Sequence, residues 1–248
     1  MTSLRTLALL VLLPTALAAA DVAVCPACGV ESPAEAAYCA SCGAVLSADA
    51  RRAREAVVAV RVDTDLRWRV PDIKPGLTEV QPPRWPGSGF VVDEEGHVVT
   101  SAEFLAGWRM VWVRTADGEE RSAVVVGVDL PTGVALLEIE DPPPPVSWAP
   151  PGELAPNAAF HILGRSPELG LVDVPALATG KQVWSGFTQI ERSHLLVGPV
   201  EPACWGGPVV DEEGRLVAMC VARPGPFSDS GRALADDRGS AALSGSPA

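Results

Sequence analysis

The sequence predicts an all-β protein of short antiparallel strands, preceded by a small cysteine-rich unit. Its 24 prolines and 23 glycines interrupt the 248 residues throughout, so short strands joined by turns are expected. Apolar runs rich in valine flank an acidic-glycine turn in residues 87–101 (GSGFVVDEEGHVVTS). With 48% hydrophobic residues, the chain can bury a sizeable core.

The charge of the chain excludes one class of partner. Its 31 acidic and 19 basic residues give a formal net charge of −12. No cluster of lysines and arginines in the sequence is large enough to track a phosphate backbone, which requires an extended basic patch. Nucleic acid is therefore not expected as a partner.

Residues 1–20 have the pattern of a secretory signal peptide. Arg5 supplies the positive start, residues 6–13 the apolar segment, and small residues precede Asp21. The mature chain is expected to begin near Asp21 and to be exported, to the periplasm or outside the cell. An uncleaved anchor is the alternative, but Pro14 leaves the apolar run shorter than the roughly 20 residues that a bilayer requires. No stable membrane span is expected after cleavage.

Residues 21–46 contain two Cys-x-x-Cys pairs that are ten residues apart, each followed by a glycine. The spacing predicts a zinc ribbon, because each pair supplies two thiolate corners of a tetrahedron. A site closed by four sulfurs is structural, since no position is left for water or substrate. Gly29 and Gly43 permit the positive φ that such knuckles often need. The predicted zinc ligands are Cys25, Cys28, Cys39 and Cys42.

A pair of disulfides is the alternative reading of these four cysteines. An exported protein meets an oxidising compartment, which favours disulfides. A disulfide within Cys-x-x-Cys is strained, however, and stabilises a fold poorly. Four thiolates on zinc supply folding free energy that so short a segment cannot obtain from its own core. Zinc is preferred, and the alternative stays open at the level of sequence.

The next segments set the remaining boundaries. Residues 47–56 are predicted to form a short helical linker, with Ser47 as its N-cap and Asp49 in its first turn. A β-branched run beginning at Val57 starts the main domain, predicted over residues 57–222. Residues 223–248 contain few large apolar groups, and a disordered tail is expected there.

The main domain is organised around residues 201–207, which we call the glycine loop. The sequence here is EPACWGG, followed by a proline, an apolar strand and an acidic-glycine hairpin. This segment resembles the Gly-x-Ser-Gly-Gly-Pro motif of trypsin-fold serine proteases of the HtrA/Deg type, with Gly206, Gly207 and Pro208 in register. Trp205 stands at the position of the serine.

A second motif supports the resemblance. Residues 87–101, which we call the GSGF hairpin, match the Gly-Ser-Gly-Phe hairpin of that family. The resemblance covers roughly residues 57–222 and implies a trypsin-like fold of two six-stranded antiparallel barrels. A Ser-His-Asp hydrolase needs a nucleophile, a base and an orienting carboxylate.

The positions that match the triad do not carry triad residues. Glu103 stands where the family has histidine, Gly133 where it has aspartate, and Trp205 where it has serine, although Asp129 of the aspartate motif is retained. We therefore predict a pseudoprotease, without catalytic residues, that binds protein or an extended peptide between its barrels by strand addition. The candidate groove residues are Cys204, Trp205, Gly206 and Trp184.

Other hypotheses stay open. Cys204 could act as the nucleophile of an active peptidase with relocated chemistry, although none of the three histidines stands at the family's base position. Cys204 could instead form a disulfide with Cys220, or both could be buried thiols. Trp108 is a further candidate for an exposed recognition surface. A purely structural role in an envelope complex is the third functional hypothesis.

Overall fold

The structure, a computed structural model, describes residues 22–33, 36–71, 77–80, 82–152, 154–183, 193–221 and 240–244. Along the chain it contains a cysteine-rich hairpin, one helix and two closed barrels of six strands each. The predicted all-β fold is confirmed. The predicted signal peptide, Trp184 and most of the predicted tail lie outside the described residues.

The N-terminal unit, residues 22–46, is named the cysteine ribbon here. Strands β1 (Val22–Val24) and β2 (Glu31–Pro33) pair antiparallel, and Tyr38 forms an isolated bridge with Val45. The carbonyl of Ala37 accepts hydrogen bonds from the N–H groups of Leu46 and Ser47, at 2.6 and 3.3 Å. The ribbon is thereby joined directly to the helix that follows.

Helix α1 (Ala48–Ala56) begins where the sequence predicts. The Oγ of Ser47 accepts a hydrogen bond from the N–H of Ala50 at 2.9 Å, and Asp49 lies in the first turn. Ala50, Ala53 and Ala56 form the buried face of the helix. Small residues let α1 pack closely against the barrels.

The first barrel has the circular strand order β10-β7-β6-β3-β8-β9. Its neighbouring strands pair antiparallel. A short 3-10 helix, Ala102–Leu105, follows β7. Between β3 and β6 the chain forms a separate hairpin of β4 (Trp68–Pro71) and β5 (Leu77–Val80). The barrel strands are β3 (Val57–Thr64), β6 (Gly87–Val91), β7 (His97–Ser101), β8 (Trp108–Arg114), β9 (Glu120–Asp129) and β10 (Val134–Glu138).

The second barrel has the order β11-β12-β13-β16-β15-β14. A second 3-10 helix, Pro202–Cys204, lies between β13 and β14. Its strands are β11 (Ala159–Ser166), β12 (Gly170–Val183), β13 (Ser193–Val197), β14 (Pro208–Val210), β15 (Leu216–Val221) and β16 (Ser240–Ser244).

The prediction of a disordered tail over residues 223–248 was wrong for residues 240–244. These residues form β16, which pairs with β13 on one side and β15 on the other. Strand pairing uses backbone N–H and C=O groups, so a segment of small residues can complete a barrel when two strand edges flank it. The sequence does not show which strand edges flank this segment. Composition alone therefore did not predict that residues 240–244 form a strand.

The two barrels share a continuous core at their junction. One buried cluster fills the first barrel and extends to Leu163, Val210 and Met219 of the second. A second cluster lies inside the second barrel and includes Ile162, Cys204 and Cys220. The glycine loop lies where the two clusters meet. Among the described residues, none of the helices has the length and apolar character to cross a bilayer.

Candidate functional site

The glycine loop is tied to strand β15 through its backbone. The N–H of Gly206 donates to the carbonyl of Cys220 at 2.8 Å, and the N–H of Cys220 donates to the carbonyl of Gly207 at 2.8 Å. Gly206 has φ 74°, and a β-carbon there would lie 2.3 Å from the carbonyl oxygen of Ser88. A β-carbon on Gly207 would lie 2.0 Å from the carbonyl oxygen of Leu163. Both glycines of the motif are therefore required by close backbone approach.

The GSGF hairpin holds the glycine loop through Ser88. The Ser88 Oγ donates to the carbonyl of Ala203 at 2.6 Å and accepts from the N–H of Arg165 at 2.7 Å. The N–H of Ser88 donates to the carbonyl of Trp205 at 2.7 Å. Ser88 is completely buried. The sequence analysis missed this role for Ser88 and Arg165, and the only signal was the place of Ser88 inside the motif.

The segments that carry the three triad-matched positions converge at the barrel junction. Glu103 lies in the 3-10 helix after β7, and the N–H of Ala102 donates to the carbonyl of Gly133 at 2.9 Å. A β-carbon placed on Gly87 would lie 2.4 Å from the Trp205 carbonyl oxygen and 2.7 Å from the Phe104 ring. The neighbours of Glu103 therefore contact both the Gly133 turn and the glycine loop.

A small cavity lies beside Glu103. The cavity that Glu103 and Phe104 line together with Val62, Thr64 and Leu66 has a volume of about 20 Å³. One water molecule needs roughly 10–15 Å³ by this measure. This small cavity therefore has room for about one water molecule.

The backbone N–H groups of Cys204 and Trp205 are used within the glycine loop itself. The N–H of Cys204 donates to the carbonyl of Glu201 at 2.9 Å, and the N–H of Trp205 donates to the carbonyl of Pro202 at 3.1 Å. Stabilisation of a tetrahedral intermediate requires N–H donors that point at the developing oxyanion. Here the Trp205 N–H closes a 3-10 turn instead. The Trp205 side chain is half-buried against the core of the first barrel.

Both cysteines near the loop are buried thiols. Cys204 and Cys220 are free and fully buried, so the structure matches the thiol alternative and not the disulfide. Burial raises the pKa of the Cys204 thiol to about 12. Burial, with a smaller contribution from Cys204, also raises the pKa of Cys220. The Cys204 Sγ lies 3.8 Å from the carbonyl oxygen of Ile162.

These positions correct part of the predicted groove. Cys204 and Gly206 are buried, so neither can contact a bound peptide directly, because the close packing of the loop on both barrels covers them. Trp205 remains partly accessible. Trp108 is 42% exposed, and Trp148, which the sequence analysis did not single out, is 64% exposed. Trp148 is bridged to Leu216 at the start of β15.

The four cysteines of the ribbon come together as the spacing predicts. Their sulfur atoms all lie within 4.8 Å of one another. The Sγ atoms of Cys25 and Cys42 are 3.6 Å apart, as are those of Cys28 and Cys39. Four sulfurs at about 2.3 Å from a tetrahedral zinc ion stand about 3.8 Å from each other. All four are free thiols in the structure, and their arrangement fits a metal site.

The two knuckles have matching backbone geometry. The N–H of Gly29 donates to the carbonyl of Cys25 at 2.9 Å, and the N–H of Gly43 donates to the carbonyl of Cys39 at 2.8 Å. Gly29 and Gly43 have φ values of 73° and 71°, as the sequence analysis expected. Each glycine therefore turns the chain so that its two cysteines face the same point.

The thiols of the ribbon do not ionise alike. The backbone N–H groups of Cys42 and Ser41 lower the pKa of the Cys39 thiol to about 6. At Cys42 the N–H of Ala44 lowers the pKa, but the sulfur of Cys28, burial and the other sulfurs together raise it to about 12. Because neighbouring sulfurs oppose one another's ionisation, all four cysteines can be thiolates together only when a cation is bound between them.

The fold and the glycine loop place this chain in the class of two-barrel trypsin-like domains. The family described as "Trypsin-like peptidase domain" matches residues 87–219. The chain belongs to this family, and its fold is of the HtrA type.

Curated relatives and solved structures agree with this assignment. The chain is 29% identical over 168 residues to "Protease Do-like 1, chloroplastic" of Arabidopsis thaliana, covering 62% of this chain and 37% of that one. It is 25% identical over 140 residues to "Probable periplasmic serine endoprotease DegP-like" of Halomonas elongata, covering 54% and 28%. The match thus spans about a third of these relatives' lengths.

Two solved structures share the fold. The Rv3671c protease of M. tuberculosis in its active form superposes with a TM-score of 0.61 at 21% identity, covering 81% of this chain and 80% of the other. The HtrA-type protease AlgW with decapeptide gives a TM-score of 0.61 at 19% identity, covering 80% and 63%.

Proposed function

We propose that this protein is an exported, catalytically inactive homologue of HtrA-type proteases that binds protein or an extended peptide. The observation that carries the proposal is Trp205. An indole stands where the family motif has its serine, and the backbone N–H of Trp205 is bonded to Pro202 at 3.1 Å. A loop in this state offers neither a nucleophile nor that oxyanion donor.

The other triad-matched positions support the same proposal. Gly133 has no side chain that could orient a base, and Glu103 cannot activate a hydroxyl that is absent. The fold around these positions is nevertheless kept, including the Ser88 contact to the glycine loop. The barrel junction is intact but lacks triad residues, which supports a role in binding protein or peptide rather than in hydrolysis.

A relocated cysteine mechanism is less well supported. A catalytic thiol needs a lowered pKa, access to substrate and a base in reach. The Cys204 thiol is buried, and its pKa is raised to about 12. None of His97, His161 and His194 stands at the family's base position, which carries Glu103.

Binding of a peptide is proposed from the architecture and from one relative. The structure of AlgW is described as a complex with a decapeptide. Both barrels are closed among the described strands, so the predicted strand addition has no continuous sheet edge to use, and an extended peptide would instead lie along the surface of the barrel junction. Trp205 and Trp148 are the accessible aromatic residues next to β15, and we propose that they contact the peptide.

We further propose that the cysteine ribbon holds a structural zinc ion. Cys25, Cys28, Cys39 and Cys42 would be its ligands, and their sulfur spacing fits the tetrahedral geometry. When bound, zinc supplies folding free energy to a segment too short for a core of its own. Export is proposed from the N-terminal pattern of residues 1–20 and from the periplasmic relatives.

Labelling and digestion test the absence of catalysis. The purified mature chain is incubated with a fluorophosphonate, with iodoacetamide at pH 8, and with fluorescein-labelled casein. An active HtrA-type protease serves as the positive control. We expect no stoichiometric label at the glycine loop and no cleavage. Cleavage of casein that is lost in Cys204→Ala would overturn the proposal in favour of the cysteine mechanism.

A binding experiment tests the positive part of the proposal. The anisotropy of labelled, unfolded casein is measured as the protein is added. We expect saturable binding without cleavage, which Trp205→Ala weakens and Arg52→Ala, a substitution on the exposed face of α1, leaves unchanged. If casein and a library of decapeptides all fail to bind, the peptide-binding role is wrong and a structural role takes its place.

A further inference from the structure

Tyr38 joins the cysteine ribbon to the second barrel. It directly precedes Cys39, and its ring stacks on the His161 ring with centroids 4.3 Å apart and planes at 25°. The guanidinium of Arg54 on α1 lies 5.2 Å from the centre of the Tyr38 ring. The Tyr38 hydroxyl is buried near Arg54 without meeting hydrogen-bond geometry. The contact is therefore made by the ring and not by the hydroxyl.

The partners of Tyr38 are themselves held on the second barrel. His161 lies on β11 and Asp173 on β12, and the His161 Nδ1 lies 2.6 Å from the Asp173 Oδ1. Asp173 also forms an ion pair with Arg54. The three side chains are between 19% and 26% exposed, so solvent screens their charges only partly. They form one polar network beneath the Tyr38 ring.

Helix α1 attaches the ribbon to the same barrel at a second place. The Ser47 Oγ donates to the carbonyl of Glu213 at 3.0 Å. Gly214 packs so closely on the helix that a β-carbon there would lie 2.3 Å from the Cα of Ala50. Both contacts fall in the hairpin between β14 and β15, directly after the glycine loop.

A third attachment leads to the glycine loop itself. The Arg165 guanidinium donates to the carbonyls of Val57 and Arg54, at 2.7 and 2.8 Å, and so caps the end of α1. The backbone N–H of Arg165 donates to the Ser88 Oγ, which in turn holds Ala203. A continuous set of contacts thus runs from the ribbon to the glycine loop.

The geometry points to a coupling between the ribbon and the barrel: metal bound at the four cysteines stabilises the second barrel and the glycine loop, and Tyr38 transmits the effect. This inference rests on the proposed zinc site. A ribbon without metal has no core of its own and unfolds. Tyr38 then leaves His161, and α1 loses the ribbon that precedes its N-cap. Whatever binds only the folded state stabilises everything that folds with it.

The coupling predicts where the protein loosens when metal is removed. His161 pairs with Val210 in the β11–β14 ladder, and Val210 follows Gly207 by three residues. Loss of the Tyr38 contact is therefore expected to reach β11 and the glycine loop before the first barrel. A ribbon that were only tethered to the barrel would have no such effect.

Hydrogen exchange of the full mature chain tests the inference. Zinc content is measured first, and amide exchange is then followed under reducing conditions with and without a chelator. In the wild type we expect chelation to speed exchange about tenfold in peptides covering residues 159–166 and 205–221. In Tyr38→Ala we expect zinc to be retained and chelation to leave exchange in residues 159–166 unchanged, because the ring contact to His161 is absent. Tyr38→Phe, which keeps the ring, should behave as the wild type.

The outcomes separate the two proposals. If the wild type binds no zinc, both the proposed zinc site and the proposed coupling are wrong. If zinc binds but chelation leaves exchange in residues 159–166 and 205–221 unchanged, the metal site stands and the coupling is wrong. If Tyr38→Ala still transmits the effect, Tyr38 is not the coupling residue. The wild-type comparison decides the coupling even if Tyr38→Ala fails to fold.

Discussion

The Oγ of Ser88 donates a hydrogen bond to the carbonyl oxygen of Ala203 at 2.6 Å, joining two motifs that are 115 residues apart in the chain. The same oxygen accepts the N–H of Arg165. Ser88 thus positions the glycine loop, and without its hydroxyl the Ala203 carbonyl and the Arg165 N–H would each lose a hydrogen-bond partner.

Replacement of Ser88 is expected to be costly. Ser88→Ala leaves the Ala203 carbonyl and the Arg165 N–H without this partner, and an unsatisfied buried group costs about 1–3 kcal/mol. We expect the free energy of unfolding in urea to fall by about 2–4 kcal/mol. Ser122→Ala, at an exposed position on β9, is the matched control and should change it by less than about 0.5 kcal/mol. Equal effects would show that the Ser88 contacts contribute little.

Replacement of Gly206 is expected to destabilise the fold severely. Gly206→Ala needs a positive φ of 74° and places a β-carbon 2.3 Å from the Ser88 carbonyl oxygen. Gly118 has a similar φ of 87° but nothing within 4 Å. Gly118→Ala should cost about 1–2 kcal/mol from backbone strain alone. Gly206→Ala should cost more than about 3 kcal/mol or prevent folding. The melting temperatures of the two variants measure the difference, and similar values would contradict the predicted clash.

Rebuilding the triad alone is not expected to restore hydrolysis. In the triple variant Glu103→His, Gly133→Asp, Trp205→Ser, the turn at residue 133 keeps a φ near 72°, which aspartate tolerates. The N–H at position 205 remains hydrogen-bonded to the carbonyl of Pro202, so it cannot stabilise an oxyanion. The loss of one such donor lowers the rate by about 10²–10³-fold.

Fluorophosphonate labelling measures the outcome of this rebuilding. We expect no label in the triple variant and slow labelling when Ala203→Gly is added, because glycine allows the peptide to rotate. Labelling of the triple variant at the rate of an active HtrA-type protease would show that the loop backbone does not limit the chemistry.

The Cys204 thiol predicts a loss of stability at alkaline pH. Its folded pKa of about 12 lies above the ordinary thiol value of about 8.5. In the unfolded chain the thiol ionises first, so its stabilising effect is complete below pH 8.5 and is lost as the pH rises towards 12. The expected slope is about 1.4 kcal/mol per pH unit from this thiol.

Urea unfolding at several pH values between 9 and 11 measures this slope. Cys204→Ala should unfold more easily at every pH, because the substitution leaves a small cavity. Its stability should nevertheless decline less steeply than that of the wild type over this range. Parallel slopes would mean that the Cys204 thiol is not protonated in the folded protein.

Some features follow from local sequence because they depend on spacing along the chain. The two Cys-x-x-Cys pairs predict the sulfur cluster, since each knuckle is a short turn with its glycine already in place. Ser47 predicts the start of α1 for the same reason. The glycines of the GSGF hairpin and of the glycine loop carry the family resemblance that predicts the double barrel. In the structure these glycines make close backbone contacts that leave no room for a side chain.

Other features depend on residues that are far apart in the chain. The burial of Cys204, which removes it from the predicted groove, arises because its side chain packs in the core of the second barrel. Composition assigned residues 240–244 to a disordered tail, yet two flanking strand edges make them a strand.

By itself, then, the sequence determined the cysteine cluster, the helix start, the fold family and the residues at positions 103, 133 and 205. Only the tertiary structure decided that Ser88 holds Ala203, that the Trp205 N–H is bonded to Pro202, and that Tyr38 stacks on His161. The physical reason is that side-chain packing and hydrogen bonding across the barrels depend on how separate strands are brought together, which no local pattern contains.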